Sequence, residues 1–293
     1  MHTVAILSQK GGTGKTTLTL HLAVAAERAG SAAAVIDLDP QASAAGWKDS
    51  RTGETPVVVS VPASRLPQAI EAAREGGAAL SLIDTAPHAS DAALAAAEAS
   101  DLVLIPCRAG ILDLRAIGTT ARAIKLAGTP AFVVLNAMPP RAPNVLADAR
   151  DAVAVHGLDV APFTVQQRAA YAHALTGGQT AQEYEPQGKA AEEMAQLYSW
   201  LCQQLAATIA KLPAIRQEGN LAIRQPARRW QYEQKTQLGG IDAASGSSLR
   251  SRSTAACVAN HPHSAAVAES PRTGLLCCDP RWQKEGDGDL GPG

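Results

Sequence analysis

The sequence predicts an α/β fold: a mostly parallel, twisted sheet with helices on both faces. Three observations predict it. Short apolar segments alternate with longer alanine-rich segments up to about Pro213. The apolar segments, such as LVLIP and VVLN, lack a clean two-residue alternation, as strands buried on both faces do. One of them runs into a glycine-rich turn followed at once by an apolar helix. Strand and helix alternating at this spacing give βαβ units rather than hairpins.

The elements follow in order. Thr3–Ser8 is the first strand and Lys15–Ala29 the helix behind it. Ala33–Leu38 and Val57–Val61 are strands, and Ser64–Glu75 is a helix. Strand Leu80–Asp84 precedes helix Ser90–Ala99, and strand Leu102–Pro106 precedes helix Leu112–Ala127. Strand Ala131–Asn136, helix Val145–His156 and strand Asp159–Pro162 come next, then a long last helix, Gly188–Lys211. Together they predict one domain over residues 1–212. Beyond it the pattern dissolves into a Gly-, Ser-, Arg- and Pro-rich stretch with no sustained period. Residues 213–293 are therefore expected to be a disordered tail of unknown role or, equally, a translation artefact or fusion scar.

Composition narrows the class. Of 293 residues, 46% are hydrophobic and only 3% aromatic, so alanine and aliphatic side chains must fill the core. A net charge of −1 argues neither for nor against nucleic acid as a partner. The odd count of five cysteines forms no regular framework, and with no secretory signal this predicts a reducing cytoplasm. No apolar run reaches the roughly 18 residues a membrane span needs, so a membrane partner is not expected.

The glycine-rich turn carries the chemistry. It reads Gln9-Lys10-Gly11-Gly12-Thr13-Gly14-Lys15-Thr16-Thr17 between the first strand and the first helix. A triphosphate needs backbone N–H groups turned inward, which glycines permit without Cβ clashes. The positive end of the helix starting near Lys15 adds to this. Lys15 is placed to reach the β- and γ-phosphates, and the Thr16 hydroxyl to ligate Mg²⁺. The predicted fold is thus a P-loop NTPase. The general pattern wants glycine where this chain has Gln9, and Lys10 stands beside it.

This KGGTGKTT form resembles the deviant Walker A motif of the ParA/MinD group, and the chain resembles the ParA-family partition ATPases. The resemblance spans about residues 1–212 and fits the short type that lacks an N-terminal helix-turn-helix. It implies a homodimer formed on ATP, in which Lys10 crosses to the partner's nucleotide. A cation delivered this way can neutralise charge on the transferring phosphoryl group. Asp37-Leu38-Asp39-Pro40-Gln41 resembles the family's first switch segment. There Asp39 is expected to orient the attacking water and Asp37 to support the magnesium shell. Leu82-Ile83-Asp84-Thr85 reads as a Walker B-like strand whose Asp84 reaches Mg²⁺, partly through water. Asn136, at the end of its strand, resembles an adenine-reading residue, and Pro162 with Phe163 the loop that covers the base.

The resemblance also implies non-specific DNA binding by the ATP dimer, a ParB-type adaptor protein and a nucleoid-associated location. Arg115, Arg122 and Lys125 fall roughly on one face of the predicted helix Leu112–Ala127 and are the DNA-contact candidates, with Arg141, Arg150 and Arg168 further ones. The alternative is a MinD-like positioning ATPase acting at a membrane or on a protein cargo. The segment 196–212 carries only one lysine and reads as a domain helix rather than a basic amphipathic anchor. An iron-protein-type reductase would need paired cysteines, whereas Cys107 reads as a packing residue. A biosynthetic ATP-dependent ligase shares the fold, but Lys10 and the DLDPQ segment favour partition.

Overall fold

The computed structural model describes residues 1–211 apart from His88, Arg141 and Ala142. The expected tail, 213–293, and the candidate Arg141 lie outside the described residues. The strands are β1 (His2–Ile6), β2 (Ala33–Asp37), β3 (Val57–Ser60), β4 (Leu80–Asp84), β5 (Leu102–Arg108), β6 (Ala131–Asn136) and β7 (Asp159–Val160). They form one seven-stranded sheet in the order β3-β2-β4-β1-β5-β6-β7. Every strand pair is parallel. The helices are α1 (Lys15–Arg28), α2 (Ser43–Asp49), α3 (Leu66–Glu75), α4 (Ser90–Glu98), α5 (Ile111–Ala127), α6 (Pro143–Ala154), α7 (Ala169–Thr176), α8 (Ala181–Tyr184) and α9 (Lys189–Lys211).

The missing alternation in the strands has a direct cause. Val4 and Ile6 of β1 join one apolar cluster, and Ala5 and the following Leu7 join another on the opposite face. Leu102 and Leu104 of β5 divide from Val103 and Ile105 in the same way. The first cluster packs under α1 and α9, the second under α3, α4, α5 and α6. With so few aromatics, single rings matter: Trp200 of α9 meets Phe132 of β6 edge-on at 5.0 Å. α9 buries Met194, Leu197, Trp200, Leu201 and Leu205, so it is a domain helix.

Three helices depart from the sequence expectation. α2, α7 and α8 are short, at 7, 8 and 4 residues, so none is long enough to show a helical period. β7 shrinks from the expected Asp159–Pro162 to Asp159–Val160, as an outermost strand with one neighbour. β5 runs on to Arg108 because β6 pairs with it along that length.

His21 of α1 is wholly buried. Its Nδ1 lies 2.7 Å from the Thr17 carbonyl, and its Nε2 accepts from the Ala181 N–H at 3.0 Å. Both contacts need the neutral ring with hydrogen on Nδ1. Burial pushes its pKa down to about 4. The folded state therefore disfavours the proton, and the unfolded chain takes it up first as pH falls. Stability is fully present above pH 6.5 and is lost as pH drops from there toward about 4. Urea unfolding across that range should lose up to about 3 kcal/mol more in the wild type than in His21→Gln. Parallel pH profiles for the two proteins would refute it.

Candidate functional site

Lying between β4 and β5, β1 delivers its loop to the middle of the sheet's C-terminal edge. Gly12 and Gly14 adopt left-handed backbone, with φ of 73° and 94°, as a loop with inward amides requires. Gly14 directly precedes α1, so the helix's free N–H groups face the loop. A Cβ on Gly14 would lie 2.2 Å from Asn136 Nδ2. Lys15 is buried, and its Nζ reaches the Lys10 carbonyl at 3.4 Å. Burial lowers its pKa, with Asp84 and Asp39 opposing.

Thr16 Oγ1 donates to Asp84 Oδ2 at 2.6 Å, joining the start of α1 to the end of β4. Asp84 is fully buried and its Oδ1 has no partner. Burial pushes its pKa up to about 7, and Asp37 on the neighbouring strand adds to this. A hydroxyl and an unpartnered carboxylate oxygen on one spot fit a hard, oxygen-seeking divalent cation such as Mg²⁺. Thr16 and Asp84 are the residues that would hold it.

Asp37, expected to support the magnesium shell, holds the local backbone with both oxygens. Its Oδ1 accepts from the Asp39 N–H at 2.9 Å and its Oδ2 from the Ala44 N–H at 3.0 Å. Both oxygens hold the turn that follows β2, which places Asp39. Asp39 is half-buried beside the phosphate loop, with Oδ1 accepting from the Gln41 N–H at 2.9 Å.

Lys10 forms an ion pair with Asp113 Oδ2 at 2.9 Å, inside its own chain. Asp113 stands in the first turn of α5, and Gln9 N–H also donates to α5, at Thr120 Oγ1 (3.3 Å). Asn136, expected from the resemblance to read adenine, stands beside the phosphate loop. Its Nδ2 donates to the Thr13 carbonyl at 2.6 Å and its Oδ1 accepts from the Ala137 N–H at 2.8 Å. The amide nitrogen thus braces the phosphate loop, and the amide oxygen is held by the N–H of the next residue. Phe163 is partly buried against the α1/α9 cluster, whereas Pro162 is exposed.

Arg115, Arg122 and Lys125 are all exposed on α5, and Arg150 is exposed on α6. Arg168 is committed elsewhere: it pairs with Glu193 at 2.6 Å, which also accepts from Tyr171 at 2.9 Å. Cys107 is buried, and burial pushes its thiol up to about 12. Sequence reading missed Asp113 and Thr120, which no local motif marks. It also missed Glu183, which a signal did mark: Thr180-Ala181-Gln182-Glu183 is a capping box, formed as such in the structure.

Comparison with known proteins identifies the family and the fold. The family described as CobQ/CobB/MinD/ParA nucleotide binding domain matches residues 4–181. Maintenance of carboxysome distribution protein A of Gloeobacter kilaueensis is 32% identical over 205 residues, 69% of this chain and 93% of that protein. Protein IncC of Escherichia coli is 41% identical over 96 residues, 31% of this chain and 26% of its own length. The septum site-determining protein MinD of Pyrococcus horikoshii, solved with Mg-ADP, superposes with a TM-score of 0.55 at 22% identity. That likeness covers 72% of this chain and 99% of that one.

Two substitutions test the loop. Lys15→Ala removes the buried cation and should abolish detectable nucleotide binding in calorimetry. Gly14→Ala forces an L side chain into left-handed backbone at a cost of about 1–2 kcal/mol, and also pushes Asn136 off Thr13. Nucleotide affinity should fall by roughly 5- to 30-fold, since every 1.4 kcal/mol is tenfold. Undiminished affinity in either variant would refute the assignment of the loop.

Proposed function

Because the chain belongs to the CobQ/CobB/MinD/ParA family of nucleotide-binding domains, we propose that it is a Mg-ATP-dependent, dimerising ATPase that segregates or positions DNA. P-loop ATP hydrolysis is the activity of the ParA/MinD members of this family. The dimer, the magnesium ion and the cargo are what the proposal adds. The observation that carries it is Lys10, a second lysine on the phosphate loop that a P-loop does not need for its own nucleotide.

The roles follow from position. Loop amides and Lys15 bind the phosphates, while Thr16 and Asp84 hold the metal. Mg²⁺ bound there would neutralise charge on the β- and γ-phosphate oxygens. Asp39, fixed by Asp37, orients the attacking water. Lys10 leaves Asp113 to reach the partner's nucleotide, so ATP acts as the glue of the dimer and hydrolysis resets it. A ParB-type adaptor would stimulate that step, and the exposed cations of α5 would meet DNA phosphates at the nucleoid.

A second reading, the positioning of a protein cargo, is favoured by the relative named for carboxysome distribution. Among the described residues no helix is long and apolar enough to cross a membrane. Co-sedimentation with DNA and with liposomes, each in ATP, ADP and no nucleotide, separates the readings.

Lys10→Ala should keep most ATP binding but lose dimerisation and turnover. Mixed with Lys15→Ala, it should recover part of the hydrolysis, because one chain holds nucleotide and the other lends Lys10. No recovery in mixed dimers seen by cross-linking counts against the role in trans.

Replacing Arg115, Arg122 and Lys125 together by Ala should leave ATP binding intact and release the ATP form from DNA. The slope of log affinity against log salt should shrink by up to about 3, near 0.9 for each phosphate no longer neutralised. An unchanged slope would place the DNA surface elsewhere.

A further inference from the structure

α2 begins where the Asp39 turn ends: Ala44, near its start, donates to Asp37 Oδ2 at 3.0 Å. A helix of 7 residues does not hold itself in place and needs tertiary anchors. Its far end is anchored by the segment between α7 and α8. Trp47 Nε1 donates to the Gln179 carbonyl and Arg51 Nη1 to the Gly178 carbonyl, each at 3.0 Å. Arg51 also grips Glu183 with two nitrogens, at 2.9 and 2.6 Å, and its guanidinium stacks on the Trp47 ring at 4.9 Å. Gly178 has φ +68°, and a Cβ there would lie 2.4 Å from the Ser50 carbonyl, so the two backbones are pressed together.

The same segment is fixed to α1 on its other side. Ala181 N–H donates to His21 Nε2 at 3.0 Å, and Gln182 Nε2 donates to the His21 carbonyl at 2.9 Å. His21 in turn contacts the carbonyl of Thr17, the residue after Thr16. An unbroken chain of contacts therefore runs from the phosphate-loop helix to the Asp39 turn without crossing the nucleotide site.

We infer that the segment 178–183 is a clamp that sets where Asp39 stands relative to Lys15 and Thr16, with Glu183 as its positioning residue. This rests on the reading that Asp39 orients the attacking water. A displacement of about 1 Å in such a group costs on the order of 100-fold in rate. Binding is spared, because the phosphate loop holds the nucleotide by itself. A bidentate Arg–carboxylate pair fixes angle as well as distance, which is what a clamp at the end of a short helix requires.

The test is Glu183→Gln in the full chain, with kcat, ATP Kd and melting temperature measured together. Kd should stay within about threefold, while kcat falls roughly 10- to 100-fold well below the melting temperature. Arg51→Lys keeps the charge but loses the fork, and should fall between. In an Asp39→Ala background, Glu183→Gln should add no further loss, since the group it positions is gone. A lowered melting temperature with unchanged kcat would make the pair merely structural and overturn the clamp, as would fully additive losses. Normal turnover by Asp39→Ala alone would overturn the reading of Asp39 and the clamp with it. If Glu183→Gln does not melt cooperatively, Trp47→Phe drops one hydrogen bond and keeps the ion pair. A loss in kcat without a loss in Kd supports the clamp there, and an unchanged kcat overturns it.

Discussion

Asp84 lies fully buried at the end of a central strand, with Thr16 on one oxygen and nothing on the other. A carboxylate taken out of water is costly unless it is paired, often by several kcal/mol. The register of the parallel sheet makes this worse. Asp37 and Asp84 are direct partners on adjacent strands, and Asp39 follows two residues on. Burial raises Asp37 and Asp84 alike, and each is raised further by a neighbouring carboxylate. Lys15 opposes this, yet burial weakens its own charge. The edge thus holds more buried negative charge than its protein cation offsets. On the proposed reading, a divalent cation held by Thr16 and Asp84 would offset that charge, and the phosphates that accompany it would pair with Lys15.

The topology explains why this imbalance sits where it does. In an open α/β sheet, ligands settle outside the carboxyl ends of the strands, at the point where strand order reverses. Here β1 stands between β4 and β5, so its loop opens at that point. β4 and β2 supply carboxylates on one side of it. β6 supplies Asn136 on the other side, reaching Thr13 past β5. The loop is therefore braced from both halves of the sheet. Gly14 must remain without a side chain because the brace already occupies its space.

Much of this was legible in the sequence, for a physical reason. A phosphate cradle is built from consecutive residues, so Gly12, Gly14, Lys15 and Thr16 announce themselves in one short run. Asp84 closes an apolar strand and is nearly as plain. The strand order was not legible, since nothing local distinguishes one buried parallel strand from another. The bond from Asn136 to Thr13 was not legible, because a carboxamide serves a purine edge and a backbone carbonyl equally well. Nor was the turn that Asp37 holds, because a carboxylate near a metal site can also cap a turn. α2 and α8 escaped because they are held by Arg51, Trp47 and Glu183, partners far apart in the chain, rather than by their own periodicity.

The phosphate loop is fastened at its two ends to different parts of the molecule. Its C-terminal end joins β4 through Thr16 and Asp84. Its N-terminal end joins α5, through Gln9 to Thr120 and Lys10 to Asp113. α5 is also the helix that exposes Arg115, Arg122 and Lys125. Asp113 is largely shielded from solvent, so a departing Lys10 leaves a poorly hydrated carboxylate at the first turn of that helix. Such a charge is stabilised in part by the helix's own N-terminal dipole, which favours anions there. Asp113 thus has a second source of stabilisation besides Lys10, as the proposed departure of that lysine requires. On the proposed reading, a nucleotide in a neighbouring subunit would compete for Lys10, and its capture would remove a restraint on the helix that exposes Arg115, Arg122 and Lys125.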